Sequence, residues 1–453
     1  MQPFDQLVRA NKSFRSWRID SDYSTLNYER QQALPVGHHP RNRAIVTEDV
    51  SLNAPTALTI SLLCSPCQCR YQVLIHARLA RGNIGSVVPI ALHPARDTLF
   101  ALIEGRPVLF SESNQKIYEL DRMGAYVWCK LLEEETIDTI IDGLTGFGID
   151  RSRARQFISQ ATHRWLDLAL VDVDWEFPVD FALRARLGGH TIRIQASNEQ
   201  LLERLAPLFC SASRGADGAD VLVEVAELDD WILFRVDHGS ICQCESAALA
   251  PAIKARLTEC IIRLSPSDIA LHAASLINNR EGLLLCGQPG AGKSTLALHL
   301  TEAGFHYGGD DVVLMAPDGS GRGLPFAPTV KPGSWEMISK LRNDLDDAIL
   351  YCRPDGVHVR YLPVGRVHHG IFSINLIIFL NRVEGNSTKI TSLGQIDSMR
   401  RVIAGSFAVD GSLSRSAFIA LKRTLARAKS FELTYSDAAQ ARTMLVDLCH
   451  GQP

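Results

Sequence analysis

Apolar and polar residues alternate with different periods along the chain, and the changes of period divide it into segments. Residues 1 to about 55 are polar with little periodicity, which predicts a loosely packed lead-in. Between 56 and 95, the runs ALTISLL and YQVLIHARLA have the composition of strands but indicate no particular fold. We therefore treat 1–95 as an N-terminal segment of unknown fold.

The segment 96–178 has the clearest pattern. The run RPVLFSESNQKIYEL predicts two strands around a polar turn. Three amphipathic helices are predicted after it, over RMGAYVWCKLLEEE, ETIDTIIDGLTGFG and DRSRARQFISQATHRWLDLALV. A hairpin followed by three helices predicts a small α+β module.

The segment 179–453 alternates between strand and helix patterns. HTIRIQA, DVLVEVAE and WILFRVD predict strands, and PAIKARLTECIIRL predicts a helix. The apolar run GLLLC then enters a glycine-rich turn, after which KSTLALHLTEA predicts a helix and FHYGGDDVVLM a strand. This order predicts an α/β domain.

Composition narrows the class of protein. A length of 453 residues predicts two or three domains, and a net charge of −3 does not indicate nucleic acid or an anionic membrane as a partner. No apolar stretch approaches the roughly 20 residues that span a bilayer. Because the N-terminus also lacks a hydrophobic signal region, we expect a cytoplasmic protein without a membrane partner.

Only three of the eleven cysteines are clustered, namely Cys64, Cys67 and Cys69. Their first spacing is typical of a zinc or redox pair. No second pair completes a tetrahedral site, although His76 is close in the sequence. Plain thiols are therefore favoured over a metal site.

The glycine-rich turn carries the strongest chemical signal. GQPGAGKS matches the P-loop pattern between a predicted strand and a predicted helix. Its glycines let backbone N–H groups point at a polyphosphate, Lys293 would reach the β and γ phosphates, and Ser294 would offer its hydroxyl to Mg²⁺. The residues predicted to bind the nucleotide here are Gly287, Gln288, Pro289, Gly290, Ala291, Gly292, Lys293, Ser294 and Thr295.

Chain geometry predicts where a catalytic carboxylate lies. The helix carries the chain roughly 15 Å from the phosphates, and the following strand brings it back by roughly 16 Å. Asp310 and Asp311 should therefore return to the phosphates and, as neighbours on a strand, point to opposite faces. One would act as base and one as metal ligand or orienting group, and their assignment stays open, with Asp311 and Ser294 as the predicted metal ligands. The alternative is a strand that merely ends at the surface.

The predicted α+β module resembles a known family of peptide-binding domains. PVLFSESNQKIYELDRMGAYVWCKL and the two helices after it are similar to PqqD-like winged-helix domains, which bind leader segments of ribosomally made peptides. The resemblance implies that a leader peptide adds a strand to the sheet edge and contacts the third helix, around Arg155 to Leu168. A purely structural or dimer-forming module is the alternative.

The C-terminal segment resembles a second family. GKSTLALHLTEAGFHYGGDD is similar to the HPr kinase/phosphorylase superfamily, whose site is related to that of phosphoenolpyruvate carboxykinase. In DIALHAASLI, His272 matches the family histidine that interacts with the acidic pair, and PFAPTVKPGSW and HVRYLPVG match segments that place Lys331 and Arg360 near the phosphates. The resemblance implies an α/β P-loop kinase domain over 179–453 that uses ATP and Mg²⁺, and it raises the expectation of a homo-oligomer.

Two departures from that family limit what the resemblance implies. The glycine- and isoleucine-rich signature after the aspartates is missing, and the family's additional metal-binding glutamate has no clear counterpart. HPr is therefore not implied as the substrate, and reverse phosphorolysis is not implied either. As independent alternatives, His272 would be a core histidine, and Lys331 and Arg360 would be surface cations.

Joining the two resemblances gives the functional hypothesis. The hypothesis is an ATP-dependent kinase that phosphorylates a Ser, Thr or C-terminal hydroxyl group of a precursor peptide, while the PqqD-like domain binds that peptide. Two alternatives remain: a kinase for a small molecule or another protein hydroxyl, and an ATP-switched adaptor that presents peptide to maturation enzymes.

Overall fold

The computed structural model describes residues 74–75 and 90–450, with gaps at 134, 176, 178–180, 216–217, 229–230, 280 and 408–412. Cys64, Cys67 and Cys69, and the predicted strand ALTISLL, lie outside the described residues. Of YQVLIHARLA, only Leu74–Ile75 is described, as a strand. The described part of the chain is a mixed α/β structure with several sheets.

The strands, in chain order, are β1 (Leu74–Ile75), β2 (Ile90–Pro94), β3 (Thr98–Ile103), β4 (Arg106–Ser111), β5 (Lys116–Glu119), β6 (Val171–Trp175), β7 (Ala182–Leu187), β8 (His190–Ala196), β9 (Ala212–Arg214), β10 (Val221–Leu228), β11 (Trp231–Val236), β12 (Cys242–Cys244), β13 (Ile269–Leu271), β14 (Ala273–Asn278), β15 (Glu281–Cys286), β16 (His306–Gly309), β17 (Val313–Met315), β18 (Ser320–Gly323), β19 (Thr329–Val330), β20 (Tyr351–Cys352), β21 (His358–Tyr361), β22 (Phe372–Arg382), β23 (Lys389–Ser392), β24 (Ser406–Phe407) and β25 (Lys429–Tyr435). The α-helices are α1 (Arg122–Leu132), α2 (Ile137–Gly146), α3 (Arg151–Asp167), α4 (Glu199–Leu205), α5 (Leu249–Leu264), α6 (Lys293–Glu302), α7 (Trp335–Ser339), α8 (Gln395–Ala404), α9 (Arg415–Arg427) and α10 (Ala438–His450).

A three-stranded antiparallel sheet, β3-β4-β5, precedes the helices α1 to α3. The predicted hairpin corresponds to β4 and β5, and β3 adds a third strand. Each helix begins at a polar side chain that accepts backbone N–H groups, namely Asp121, Thr136 and Asp150. The helices pack around Trp128 and Trp165, whose rings meet edge to face at 5.0 Å.

A six-stranded sheet follows, in the order β12-β11-β10-β8-β7-β9. Leu228 on β10 and Leu233 on β11 belong to the same buried cluster as Trp165. On β6, Trp175 donates its indole N–H to Glu224 on β10 at 3.0 Å. The core of the first helices therefore continues onto one side of this sheet.

The largest sheet has ten strands: eight follow the order β16-β14-β15-β22-β18-β17-β13-β24, β25 pairs with β22, and β23 pairs with β25. In its middle, β15 is parallel to β22, and β22 is parallel to β25. Helix α6 begins seven residues after β15 ends, on the loop that carries the glycines. This sheet positions the candidate site.

The predicted single strand FHYGGDDVVLM is wrong, because the structure divides it into β16 and β17. Gly309 ends β16 with φ at 144°, and a Cβ atom there would lie 2.6 Å from the carbonyl oxygen of Leu324. This close backbone contact bends the chain, so Asp310 and Asp311 lie between the two strands instead of within one.

The segment that pairs with β16 and β17 is interrupted at the same level. The segment 269–278 pairs antiparallel with 306–315 on both sides of a gap, through β14 with β16 and β13 with β17. His272 occupies the gap on one segment, and Asp310 and Asp311 occupy it on the other. The interrupted ladder therefore brings the histidine and the aspartates together.

No helix among the described residues has both the length and the apolar character needed to cross a membrane.

Candidate functional site

The glycine-rich loop between β15 and α6 has a tightly constrained backbone. Gly290 and Gly292 have φ values of 85° and 92°, a region that glycine adopts readily and other residues rarely. A Cβ atom on Gly292 would overlap with the hydroxyl of Tyr435, which donates a 2.6 Å hydrogen bond to the carbonyl of Ala291. The end of β25 therefore supports the loop and requires glycine at 292.

Lys293 lies buried at the start of α6, beneath the loop. Its Nζ donates to the carbonyl oxygens of Gly287 at 2.7 Å and Gln288 at 3.4 Å. Burial lowers the pKa of Lys293, and the charges of Asp311 and Asp310 act in the opposite direction. Strand β15, which leads into the loop, and strand β16, which leads into the aspartates, both end beside the first residues of β14.

The other loop residues differ in exposure. Gln288, Pro289 and Gly290 form an exposed tip, and Ser294 and Thr295 are half-buried in the first turn of α6. A helix that begins at an open glycine-rich loop presents unpaired backbone N–H groups and the positive end of its dipole. This arrangement is suited to an anionic group such as phosphate.

The two aspartates differ in their surroundings. Asp310 is 4 % exposed, and its Oδ2 accepts the backbone N–H of Thr329 at 2.9 Å. Its Oδ1 is buried and has no hydrogen-bond partner among the described residues. Asp311 has a side chain that is 48 % exposed, so it is the carboxylate that a ligand can reach.

His272 holds Asp311. Its Nδ1 lies 3.2 Å from Oδ1 of Asp311 and 3.1 Å from the carbonyl oxygen of the same residue. Burial alone would raise the pKa of Asp311, but the His272 hydrogen bond and the charge of Lys254 outweigh it and hold this pKa well below its ordinary value. Asp311 is therefore ionised at neutral pH.

Sequence reasoning missed Lys254, which lies on α5. Its Nζ is 3.7 Å from Oδ1 of Asp310 and 3.7 Å from Oδ2 of Asp311, and it donates to Oγ1 of Thr329 at 2.9 Å. Burial lowers the pKa of Lys254, but the charges of Asp310, Asp311 and Tyr361 raise it, and the net shift is upward. A signal existed, because Lys254 falls at helical spacing among the apolar residues Leu257 and Ile261.

Lys331 and Arg360 have different positions. Lys331 is exposed after β19, and its charge contributes to the lowered pKa of Lys293. Arg360 contacts the carbonyl of Leu345 and lies 5.0 Å from the ring of Trp335. Arg360 also lies 3.5 Å from Asp346, and within the described part of the chain its contacts include neither the glycine-rich loop nor Asp310 and Asp311.

The donor set is compatible with Mg²⁺ shared with a phosphate. Among the described residues, no group of three or more His, Cys, Asp and Glu side chains forms a metal site from protein alone. Mg²⁺ is usually held by one or two carboxylates together with substrate phosphates. The accessible carboxylate of Asp311 and the half-buried hydroxyl of Ser294 suit that mode, whereas Oδ1 of Asp310 is buried and lies 3.7 Å from the ammonium of Lys254.

Comparisons with known proteins give limited similarity. No family model matches the chain. The search of curated proteins found no match. Among solved structures, TbiB1 in complex with the TbiA(beta) leader peptide is 19 % identical, with a TM-score of 0.17, over 17 % of this chain and 92 % of that one. The HPr(Ser) kinase/phosphatase from Coxiella burnetii is 13 % identical, with a TM-score of 0.20, over 40 % of this chain and 97 % of that one. Both TM-scores lie below 0.5, so neither likeness by itself establishes a shared fold or function.

Proposed function

We propose that the chain is an ATP-dependent kinase that phosphorylates a hydroxyl group of a ribosomally made precursor peptide. The observation that carries this proposal is that β15 and β16, which lead into the Lys293 loop and into the Asp311 bend, both end beside the first residues of β14, next to His272, which contacts Asp311. A buried cation under a glycine-rich loop binds phosphate, and an ionised, accessible carboxylate beside it binds metal or accepts a proton. Together these groups suit phosphoryl transfer.

In the proposed reaction, the acceptor oxygen attacks the γ-phosphorus of ATP, the bond to the bridging oxygen breaks, and ADP leaves. Lys293 exchanges the loop carbonyls for phosphate oxygens and stabilises their charge. Asp311 is oriented by His272 and either holds Mg²⁺ or accepts the hydroxyl proton. Bound Mg²⁺ would offset the negative charge of the phosphates. Asp310 is too buried to meet an acceptor and orients Thr329.

The peptide is proposed to bind to the segment 96–178. Each outer strand of the β3-β4-β5 sheet has one side without a described strand partner, and an extended peptide can pair with such an edge. Leu99 and Ile117 flank Phe110 across the strands, and both flanking side chains are more than half-exposed. An exposed apolar row next to an open edge supplies pockets for alternate side chains of a peptide.

The test is to incubate the protein with ATP, Mg²⁺ and the candidate precursor peptide, and to measure peptide mass. The expected result is a mass increase of one phosphate, absent with Lys293→Ala. ADP release without phosphopeptide would contradict the peptide as acceptor and favour another hydroxyl. Peptide binding without ADP release would favour the adaptor and contradict the kinase.

A further inference from the structure

Lys254 is a buried cation for which the proposed reaction has no role so far. Its side chain is 12 % exposed, and a charge in such a place is costly unless other groups compensate it. Two carboxylates at 3.7 Å and the Thr329 hydroxyl at 2.9 Å provide that compensation. The rings of Phe326 and Tyr361 lie 5.7 and 5.8 Å from its Nζ and contribute cation–π contacts.

The ammonium of Lys254 forms a hydrogen bond with one partner and ion pairs with two others. Its one described hydrogen bond goes to Thr329, because 3.7 Å is too long for a hydrogen bond to either aspartate. Thr329 in turn donates its backbone N–H to Asp310 at 2.9 Å. Helix α5, strand β19 and the aspartate bend are therefore joined at one point, and the ammonium lies between the carboxylates without being bonded to either.

An ammonium group between two carboxylates occupies the position that a bridging metal ion would otherwise occupy. Adjacent aspartates are a common way to hold divalent cations, and paired metal ions in phosphoryl-transfer sites lie about 3.5–4 Å apart. Here an ammonium already neutralises one of the two negative charges. A second divalent ion between the aspartates would meet this positive charge at short range.

We propose that Lys254 is a positioning residue that acts as a built-in cation between Asp310 and Asp311, so that the site takes one divalent ion through Asp311 and not two. This inference rests on the proposed function, which assigns Asp311 its role at the metal. It adds the number of divalent ions bound per chain and names Lys254 as the residue that sets this number. Neutralising Lys254 removes the positive charge that lies between the two carboxylates and opens the bridging position to a second ion, while His272 and the Thr329 N–H keep their contacts with Asp311 and Asp310.

The experiment is a titration with Mn²⁺, followed by electron paramagnetic resonance, on the full chain with and without a non-hydrolysable ATP analogue. Wild type should bind one Mn²⁺ per chain with the analogue. Lys254→Met and Lys254→Gln should bind a second Mn²⁺, and without nucleotide they should bind Mn²⁺ at least about tenfold more tightly than wild type. Lys254→Arg should restore the wild-type behaviour. Lys340→Met is the matched control, because it removes the charge of an exposed lysine that directly follows α7.

Several results would overturn the inference. Two Mn²⁺ in wild type would do so, as would unchanged Mn²⁺ affinity and stoichiometry in a Lys254 variant whose circular dichroism shows that it is folded. If Lys254→Met does not fold, the glutamine variant, which can still bond to Thr329, decides the question. If wild type does not bind the ATP analogue, the proposed function fails, but the nucleotide-free titration still tests Lys254.

Discussion

Two surfaces of this molecule recognise ligands in the proposed function, and they are built in opposite ways. At the end of the ten-stranded sheet, charged groups are buried and each is fixed by backbone or by another charge, as Lys293 and Asp310 show. On the β3-β4-β5 sheet, apolar side chains such as Leu99 and Ile117 are exposed and no described strand covers either edge.

The contrast has a physical basis. A phosphate group is small and highly charged, so donors and cations must be in place before it binds, because reorganising them during the reaction costs free energy. An extended peptide gains affinity from repeated backbone pairing and from apolar contact, each of which tolerates variation. Single substitutions should therefore damage the first surface strongly and the second only gradually.

The largest effect is expected from Lys293→Ala. The variant loses the buried cation under the loop, and phosphate transfer should fall by roughly 100-fold or more. The measurement is the initial rate of phosphopeptide formation at saturating ATP, with Lys340→Ala as the matched control on an exposed lysine. A loss of less than tenfold would mean that this lysine does not stabilise the transferred phosphate.

Gly292→Ala should destabilise the loop. The alanine must adopt a φ of 92° and overlaps with the Tyr435 hydroxyl, so we expect a loss of about 1–3 kcal/mol in the free energy of unfolding. Urea denaturation measures it. Gly365→Ala is the control, because a Cβ atom there meets nothing within 4 Å.

Adding Tyr435→Phe to Gly292→Ala sharpens this prediction. The second change removes the overlapping hydroxyl, so the double variant should be more stable than the sum of the two single losses implies. Additive losses would show that the backbone angle alone accounts for the destabilisation.

Leu99→Asp should have a moderate effect that is restricted to peptide binding. Leu99 is 61 % exposed, so folding should be maintained, and a charge in the apolar row should weaken peptide binding by about tenfold. Fluorescence anisotropy of a labelled precursor peptide measures the affinity, and ATP binding should not change. Ile371→Asp serves as control, since Ile371 is 64 % exposed and lies elsewhere. Equal losses in both variants would exclude a specific role for the β3-β4-β5 surface.

The smallest expected effect is on the pH dependence of the free energy of unfolding. Because the pKa of Asp311 in the folded chain lies below its ordinary 3.8, its ionised form stabilises the fold above pH 3.8, and this contribution is lost as the pH falls through the folded pKa. The stability difference between wild type and Asp311→Asn should therefore shrink on acidification from pH 6 to pH 3. Since the side chain is about half-exposed, the change should be under about 1 kcal/mol.

Urea unfolding at the two pH values measures this difference. Asp397→Asn, an exposed aspartate on α8, controls for the change in net charge. A difference between wild type and Asp311→Asn that grows on acidification would contradict the electrostatic assignment.

Local sequence determined much of this protein. The strand, glycine-rich loop and helix from Glu281 to Glu302, and the three helices from Arg122 to Asp167, follow from periodicity, capping residues and glycine placement, which act over a few neighbouring positions. The fixed rise per residue of helix and strand also predicted a return of the chain after α6, and β16 ends beside the start of β14, as β15 does.

Tertiary structure alone decided how these parts are used. The gap that sets His272 against Asp311 arises from pairing between distant segments, and the bend at Gly309 arises from contact with Leu324 fifteen positions later. Lys254 comes from a helix more than fifty residues before the aspartates, and its role depends on a buried position in which its charge must be compensated. None of these three effects is encoded at a fixed spacing along the chain, since all of them depend on which surfaces meet after the chain folds.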